Sequence, residues 1–307
     1  MTKIEKDTMA KTVLHLMISI GLLLFVYGDA EAIDIEEITE VKYNLSVQFV
    51  DPKQAYYIAL LELALQRSES KYGAYKMTPV VIEMPQARTI KLVESNQHID
   101  IVWTMTSIER ENQLQAVYIP LLKGLMGYRI GIIRKGEQSR FSGINSLTEF
   151  KRILIGQGSD WPDTDILQQN GFSVISGSAS KLLAMLAKNR FDYFPRAIHE
   201  PWDELSRRDD IELEQHLLLH YAAPIYFFVN KQNKPLAERL EFGLRQTIDD
   251  GSFDELLLNH PITAGIIEKA QLHKRRQFEI ANPLLSPKSA ALLNDAKLWL
   301  TTLESAQ

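Results

Sequence analysis

Along most of the chain, short runs rich in β-branched and aromatic residues alternate with longer stretches of helical spacing. Residues 43–49 (YNLSVQF) alternate apolar and polar side chains and predict a strand. Residues 52–71 carry Tyr56, Leu60, Ala64 and Leu65 at helical spacing until Tyr72-Gly73 breaks the pattern. A second strand is expected at 79–82, a helix at 86–97 with Pro85 opening its first turn, and a third strand at 99–103. Strands separated by helices in this way imply a parallel sheet with crossover helices.

Two apolar runs follow, 116–120 and 128–133, and a second β/α series begins. Ser146 and Glu149 have capping-box spacing at the head of a short helix, 146–150. Strands are expected at 153–155, 172–175 and 191–194, with helices at 163–169, 178–188 and 201–207 between and after them. Strands at 212–219 and 224–230 precede helices at 235–250, 253–259, 264–274 and 289–300. No Gly/Ser-rich linker and no fixed-period repeat separates the two series. They are therefore expected to form two lobes joined by strand-like connections. The cleft between such lobes is where a small ligand binds, beyond the carboxyl ends of the strands.

The first 32 residues stand apart. Residues 13–27 read VLHLMISIGLLLFVY, with Lys3, Lys6 and Lys11 before them and Ala30-Glu31-Ala32 after them. That layout is a secretory signal peptide, cut after Ala32, with Met1 or Met9 as its start. The apolar run is shorter than the roughly 20 residues a spanning helix needs. The expected mature chain begins near Ile33 and resides in the periplasm. The chain of 307 residues has 34 Lys+Arg against 39 Asp+Glu, a net charge of −5. Residues 1–32 hold three lysines and four acids, so the mature charge is −4. An acidic balance argues against a nucleic-acid partner, which demands basic patches. The absence of cysteine excludes disulfides, thiolate metal sites and thiol nucleophiles. An apolar fraction of 45% excludes a disordered chain.

Candidate chemistry gathers at three strand ends. Thr104, Thr106 and Arg110 follow the strand ending at Trp103, and a guanidinium grips a carboxylate with two parallel hydrogen bonds. Gly156-Gln157-Gly158-Ser159-Asp160 is a glycine-rich turn before a helix, where N–H groups favour a negative ligand group. Arg196 and Glu200 follow the strand ending at Phe194. Trp161, directly after the turn, is a candidate cleft wall, as is Tyr56; Trp103 and Phe194 lie in strand patterns and read as core. Enzyme signatures are weak. His216 and His220 lie in a strand pattern and not in a zinc-binding helix, and there is no Gly-x-Ser-x-Gly elbow. Ser178 and Lys181 match Ser-x-x-Lys without its partner motifs, and Ser178 reads as a helix N-cap. Neither metal nor cofactor is expected, and the chain is not expected to be an enzyme.

The stretch Thr104-Met105-Thr106-Ser107-Ile108-Glu109-Arg110 resembles the hydroxyl-rich segment leading to T-x-E-R in family 3 solute-binding proteins. These serve polar amino-acid ABC transporters and have the type II periplasmic fold. Ile119-Pro120 and the run Gly131 to Lys135 resemble the family's crossing strand and its basic end. Ile155-Gly156-Gln157-Gly158-Ser159 is similar to its V-G-x-x-x-G-[ST] turn, and Lys188-Asn189-Arg190-Phe191-Asp192 to its G-x-[VI]-D strand start. The resemblance covers about residues 43–259. It implies that Arg110 holds a ligand α-carboxylate, assisted by Thr104, Thr106 and Ser159. One departure is plain: where amino-acid binders deliver an Asp for the ligand's ammonium, the nearest residue here is Arg196. Either Glu200 or Asp160 takes that ammonium, or the ligand is not an ordinary α-amino acid, and two arginines would suit an anion.

The expected architecture is a two-lobed α/β type II periplasmic-binding-protein-like fold, each lobe a doubly wound sheet flanked by helices, with a cleft between lobes. Residues 33–122 and 225–307 are assigned to one lobe and 123–224 to the other. The expected function is capture of a small polar or anionic, amino-acid-like molecule by a monomer, for delivery to an ABC permease. The alternative is a ligand-sensing partner of a membrane receptor; an enzyme on the same fold ranks below both.

Overall fold

The computed structural model describes residues 38–47 and 53–300. The signal-peptide expectation for residues 1–32 lies outside the described residues, as do residues 48, 49 and 52 of the first expected strand and helix. Among the described residues, no helix is long and apolar enough to cross a membrane.

The first sheet joins β1 (Thr39–Leu45), β2 (Tyr75–Val81), β3 (Ile101–Met105), β4 (Gln115–Val117) and, from much later in the chain, β11 (Ile225–Val229). Their order is β2-β1-β3-β11-β4. β1 pairs parallel with β2 and β3, while β11 runs antiparallel to β3 and β4. This is the parallel βαβαβ unit that the hydrophobic pattern predicts. Pro79 sits in β2 because that strand is the sheet edge, where a missing N–H is tolerated.

The second sheet holds β5 (Tyr128–Arg134), β8 (Phe194–Ala197), β9 (Ile211–Leu213), β10 (Leu217–His220) and β12 (Arg276–Glu279), in the order β12-β10-β5-β8 with β9 also on β5. β6 (Ile155–Gly158) and β7 (Val174–Gly177) form a parallel pair, and a bridge from Ile155 to Tyr193 ties β6 to the chain entering β8. The succession β7-β6-β8-β5 therefore repeats the succession β2-β1-β3-β11 of the first sheet. The chain crosses between the sheets three times, from β4 to β5, from β10 to β11 and, by way of helices, from β11 to β12.

Helix Lys53–Tyr72 buries Tyr56, Tyr57, Leu60, Leu61, Ala64, Leu65 and Ser68, one stripe at the i, i+3/i+4 spacing of an amphipathic helix. It packs on helix Lys234–Asp249, whose buried face includes Leu240, Gly243 and Leu244. Arg239 on the same face closes the joint. Its guanidinium donates to Ser68 Oγ, Thr39 Oγ1 and the carbonyls of Tyr72, Gly73 and Ala74, at and just past the first helix's carboxyl end. Ser146 and Glu149 make the expected capping box. Ser178 occupies an N-cap position, as read from the sequence, but its side chain makes no capping bond.

The C-terminal quarter departs from the expected pattern. Gly265 and Gln271, both left-handed, bracket a helix of only Ile266–Ala270. The single helix expected at 289–300 is instead helix Pro287–Ala291 followed by two 3-10 turns, because Asp295 turns extended and its carboxylate caps Lys297 N–H. Between them lies β12, paired parallel with β10 in the second sheet, so part of the segment assigned to the first lobe runs with the second.

The joint between the two long helices has no slack. A Cβ on Gly243 would lie 1.9 Å from the Ala64 carbonyl oxygen, a backbone atom that cannot step aside. Gly243→Ala is expected to destabilise the fold by about 1–3 kcal/mol. Urea unfolding checks this, and an unchanged midpoint would contradict the packing.

Candidate functional site

β3 ends at Met105, and the next two residues turn the chain. Thr106 donates its N–H to the Pro224 carbonyl in the second crossover, and Ser107 caps helix Ile108–Gln113 by accepting the Arg110 N–H. Arg110, only 7% exposed, is thereby folded back over the strand end. Its Nη1 donates to the Thr104 hydroxyl and, at 2.8 Å, to the Met105 carbonyl. Its Nη2 donates to Gln86 Oε1 and to the Asp160 carbonyl, each at 2.9 Å. The bond to Asp160 crosses from the first sheet's side to the turn after β6. A second crossing bond runs back, from the Ala87 N–H to Asp160 Oδ2 at 3.3 Å. Burial pulls the Arg110 guanidinium down to about 10, with Asp163, Asp160 and Glu109 opposing the shift, so it stays a cation at neutral pH.

Deeper in the same interface lies a charged cluster. Arg129, on β5, is 1% exposed. Its Nη2 meets Asp163 Oδ1 at 2.7 Å, its Nη1 stands 3.8 Å from Glu200 Oε2, and its guanidinium carbon lies 5.2 Å from the Tyr221 ring centre. Tyr221 donates its hydroxyl to Asp163 Oδ1. Arg129 Nη2 also approaches the Met105 sulfur at 3.8 Å, which brings β3 of the first sheet against β5 of the second. Glu200 accepts the Ala197 N–H at 2.8 Å and pairs with Arg196 at 3.0 Å. Although burial alone would raise it, Arg196, Lys53, His199 and Arg129 hold the Glu200 carboxyl down at about 2. Beside it, His199 is buried with Nδ1 unpartnered, and burial lowers its pKa to about 4.

Each residue singled out from the sequence has a definite place. Thr104 and Arg110 come together as expected, and Asp160 joins them through its carbonyl. The Thr106 hydroxyl faces away to Glu111 Oε1 at 2.6 Å. The N–H donors expected at the glycine turn are engaged within the protein: Gly156 N–H to Tyr193, Ser159 N–H to Gly177 and Trp161 N–H to Gly158. Ser159 itself is exposed. The glycines serve packing, since a Cβ on Gly156 would strike the Phe191 ring at 2.2 Å and one on Gly158 the Trp161 ring at 2.3 Å. Trp161 is half-buried, stacked near Phe194 with the Arg196 guanidinium 5.0 Å from its ring. Arg196 is committed to two carboxylates, forked onto Glu204 at 2.8–3.1 Å as well as paired with Glu200. Tyr56 lies in the core and donates to the Leu121 carbonyl. His216 contacts the Ile144 carbonyl, and His220 pairs with Glu279. Sequence reasoning passed over Arg129, Asp163, Tyr221 and Gln86. A signal was there for Arg129, the one charge inside the apolar run 128–133.

The two sheets of matching strand succession, joined by these crossovers and meeting at a charged interface, define a two-lobed type II periplasmic-binding-protein fold. No protein-family model and no curated protein sequence matches the chain. Solved structures do. The arginine-specific periplasmic binding protein of Salmonella typhimurium is 14% identical, with a TM-score of 0.52 over 71% of this chain and 97% of that one. A putative ABC-transporter binding component from Wolinella succinogenes, complexed with lysine, is 15% identical, with a TM-score of 0.51 over 71% and 94%. The glutamate-bound GluR0 ligand-binding core from Nostoc punctiforme is 13% identical, with a TM-score of 0.51 over 72% and 97%. At these identities the likeness establishes the fold.

Two outcomes follow from the charges. Asp163→Asn strands Arg129 with a weakened partner in a dry interface and is expected to cost about 3–5 kcal/mol of stability, read from chemical denaturation. A neutral, buried His199 stabilises the folded state fully above pH 6.5, and this contribution is lost as pH falls from 6.5 to about 4, where only the unfolded chain takes up the proton. Glu200 acts below that, its contribution disappearing from pH 4.5 towards about 2. His199→Leu is expected to flatten the upper limb and keep the lower one in a series of unfolding midpoints against pH. A slope unchanged between pH 6.5 and 4 would remove His199 from the account.

Proposed function

We propose that the chain is a solute-binding protein of the periplasmic family 3 type, whose two lobes close on a small, polar, amino-acid-like molecule carrying a carboxylate. The observation that carries this reading is the Arg110 guanidinium. Thr104 and the Met105 carbonyl fix one edge of it, while its other edge reaches between the lobes to Gln86 and Asp160. A ligand carboxylate that takes the place of those two neutral acceptors gains charge-assisted bonds and keeps both lobes engaged through one cation. Arg196, already neutralised by Glu200 and Glu204, is a poor second anion grip, which favours a mono-carboxylate over a di-anion. Names of the structural neighbours, an arginine-specific one and one complexed with lysine among them, support an amino-acid-like ligand. Delivery to an ABC permease, export and the lobe assignment 33–122 with 225–307 against 123–224, save that β12 runs with the second sheet, belong to the same proposal. A second reading, a cleft that reports to a membrane receptor, draws support from the GluR0 ligand-binding core among the neighbours.

A thermal-shift screen of amino acids and small carboxylates tests the proposal. A binder present at 100 times its Kd stabilises by about 2.7 kcal/mol. One or more of these compounds is expected to raise the melting temperature of the protein, and Arg110→Ala to abolish the shift while still unfolding cooperatively. An equal shift in wild type and Arg110→Ala would refute the assigned grip.

A further inference from the structure

The C-terminal segment touches every part on which movement between the lobes depends. It leaves the second sheet at β12, and the two residues after that strand are held by the Ile280 N–H on the His220 carbonyl and by Asn170 on the Ala281 carbonyl. Asn282 then donates to the Ala222 carbonyl at 2.7 Å, within the β10–β11 crossover. The Leu284 carbonyl accepts the N–H of Ile108, the first residue of the helix that carries Arg110. Ser289, fully buried, donates to Glu111 Oε1 at 2.7 Å and accepts from the Tyr226 hydroxyl. Glu111 is the carboxylate that also holds the Thr106 hydroxyl. At the far end, Leu300 donates its N–H to the Lys123 carbonyl at 3.0 Å. The Trp299 ring, fixed by its indole N–H on the Leu292 carbonyl, closes over Gly124 so tightly that a Cβ there would lie 2.7 Å from it. Lys123 and Gly124 are both left-handed and lie in the β4–β5 crossover.

We propose that residues 276–300 form a strap that fastens the two short interlobe crossovers and the Arg110 helix, and so limits how far the two lobes turn apart. Hinge motion in a two-lobed protein is absorbed by a few connecting residues. Here two of those connections are short, near 118–127 and 221–224, and the strap, which a longer third connection through residues 230–275 leads into, is bonded to each of the two. It is anchored at one end in the second sheet and along its middle on the first. Opening the lobes therefore requires the strap to slide or lift, and lifting it frees the Arg110 turn in the same movement.

The test needs no ligand, so its outcome is separate from that of the solute-binding reading. The chain has no cysteine, and paired cysteines at exposed Gln66 and Gln168, one per lobe, take spin labels uniquely. The strap is loosened in Trp299→Ala with Ser289→Ala, and in Trp299→Ala alone should the double variant lose cooperative unfolding. Pulsed electron paramagnetic resonance is expected to show the inter-label distances shifted to longer values and broadened relative to the parent. Hydrogen exchange at the Leu300 and Ile108 amides is expected to quicken by about fivefold or more, the factor for one ordinary hydrogen bond lost. A distance distribution that coincides with the parent's, with Leu300 exchange quickened, overturns the proposal. Unchanged exchange at Leu300 overturns it too, since the named side chains would then not be what fastens the strap.

Discussion

A guanidinium sealed between the lobes sets the geometry of the whole interface. Arg129 emerges from β5 with almost no exposure, and an uncompensated charge in such a place costs several kcal/mol. Asp163 answers it from the first turn after β6, Glu200 from the turn after β8, and Tyr221 reaches Asp163 from the crossover after β10. Three connections at the same end of the second sheet are thus drawn to one point. The demand then propagates. Glu200 needs Arg196, and Arg196 is neutralised a second time by Glu204. Because Arg129 also rests on the Met105 sulfur, the end of β3 is drawn to the same point.

The magnitudes distinguish the two arginines that look alike in the sequence. Breaking a buried ion pair by removing one partner costs about 3–5 kcal/mol, so Arg196 does not readily leave two carboxylates for a ligand. The hydrogen-bond acceptors of Arg110 are neutral oxygens, each bond contributing about 1 kcal/mol net, and a charged acceptor in their place is roughly twice as strong. Exchange is favourable at Arg110 and unfavourable at Arg196. On the proposed function, the side chains around Arg196 shape the floor of the cleft and Arg110 holds the occupant.

Much of this was legible in the sequence where the pattern is set locally. The βαβαβ lobe follows from alternation and helical spacing, the capping box from Ser146 and Glu149, and the Thr104–Arg110 pairing from residues six apart on one turn. What was not legible depends on partners distant in sequence. Ser159 and the glycines before it look like an anion cradle until Gly177 and Tyr193 take their N–H groups and Phe191 and Trp161 fill the space. Arg196 reads as a candidate anion grip because its partner Glu204, eight residues on, carries no signal in the sequence. β12 was missed because an edge strand with one buried residue, Phe278, carries no alternating signal. Residues 289–300 keep a helical pattern, yet Asp295 turns extended and caps Lys297 N–H while Trp299 packs on distant Gly124, and the segment breaks into short turns.

The C-terminal segment also bears on why the cleft is built from so many weak links. Two short crossovers alone leave lobe rotation soft, whereas a third connection bonded to both makes opening a concerted event. Hydrogen bonds of about 1 kcal/mol each, such as those at Ile108 and Leu300, yield one after another under thermal motion. A strap of that kind holds the lobes without locking them. The buried charges around Arg129 resist solvent far more strongly, so opening should part the lobes at Arg110 and Asp160 first and leave the Arg129 cluster, which belongs to the second sheet, intact.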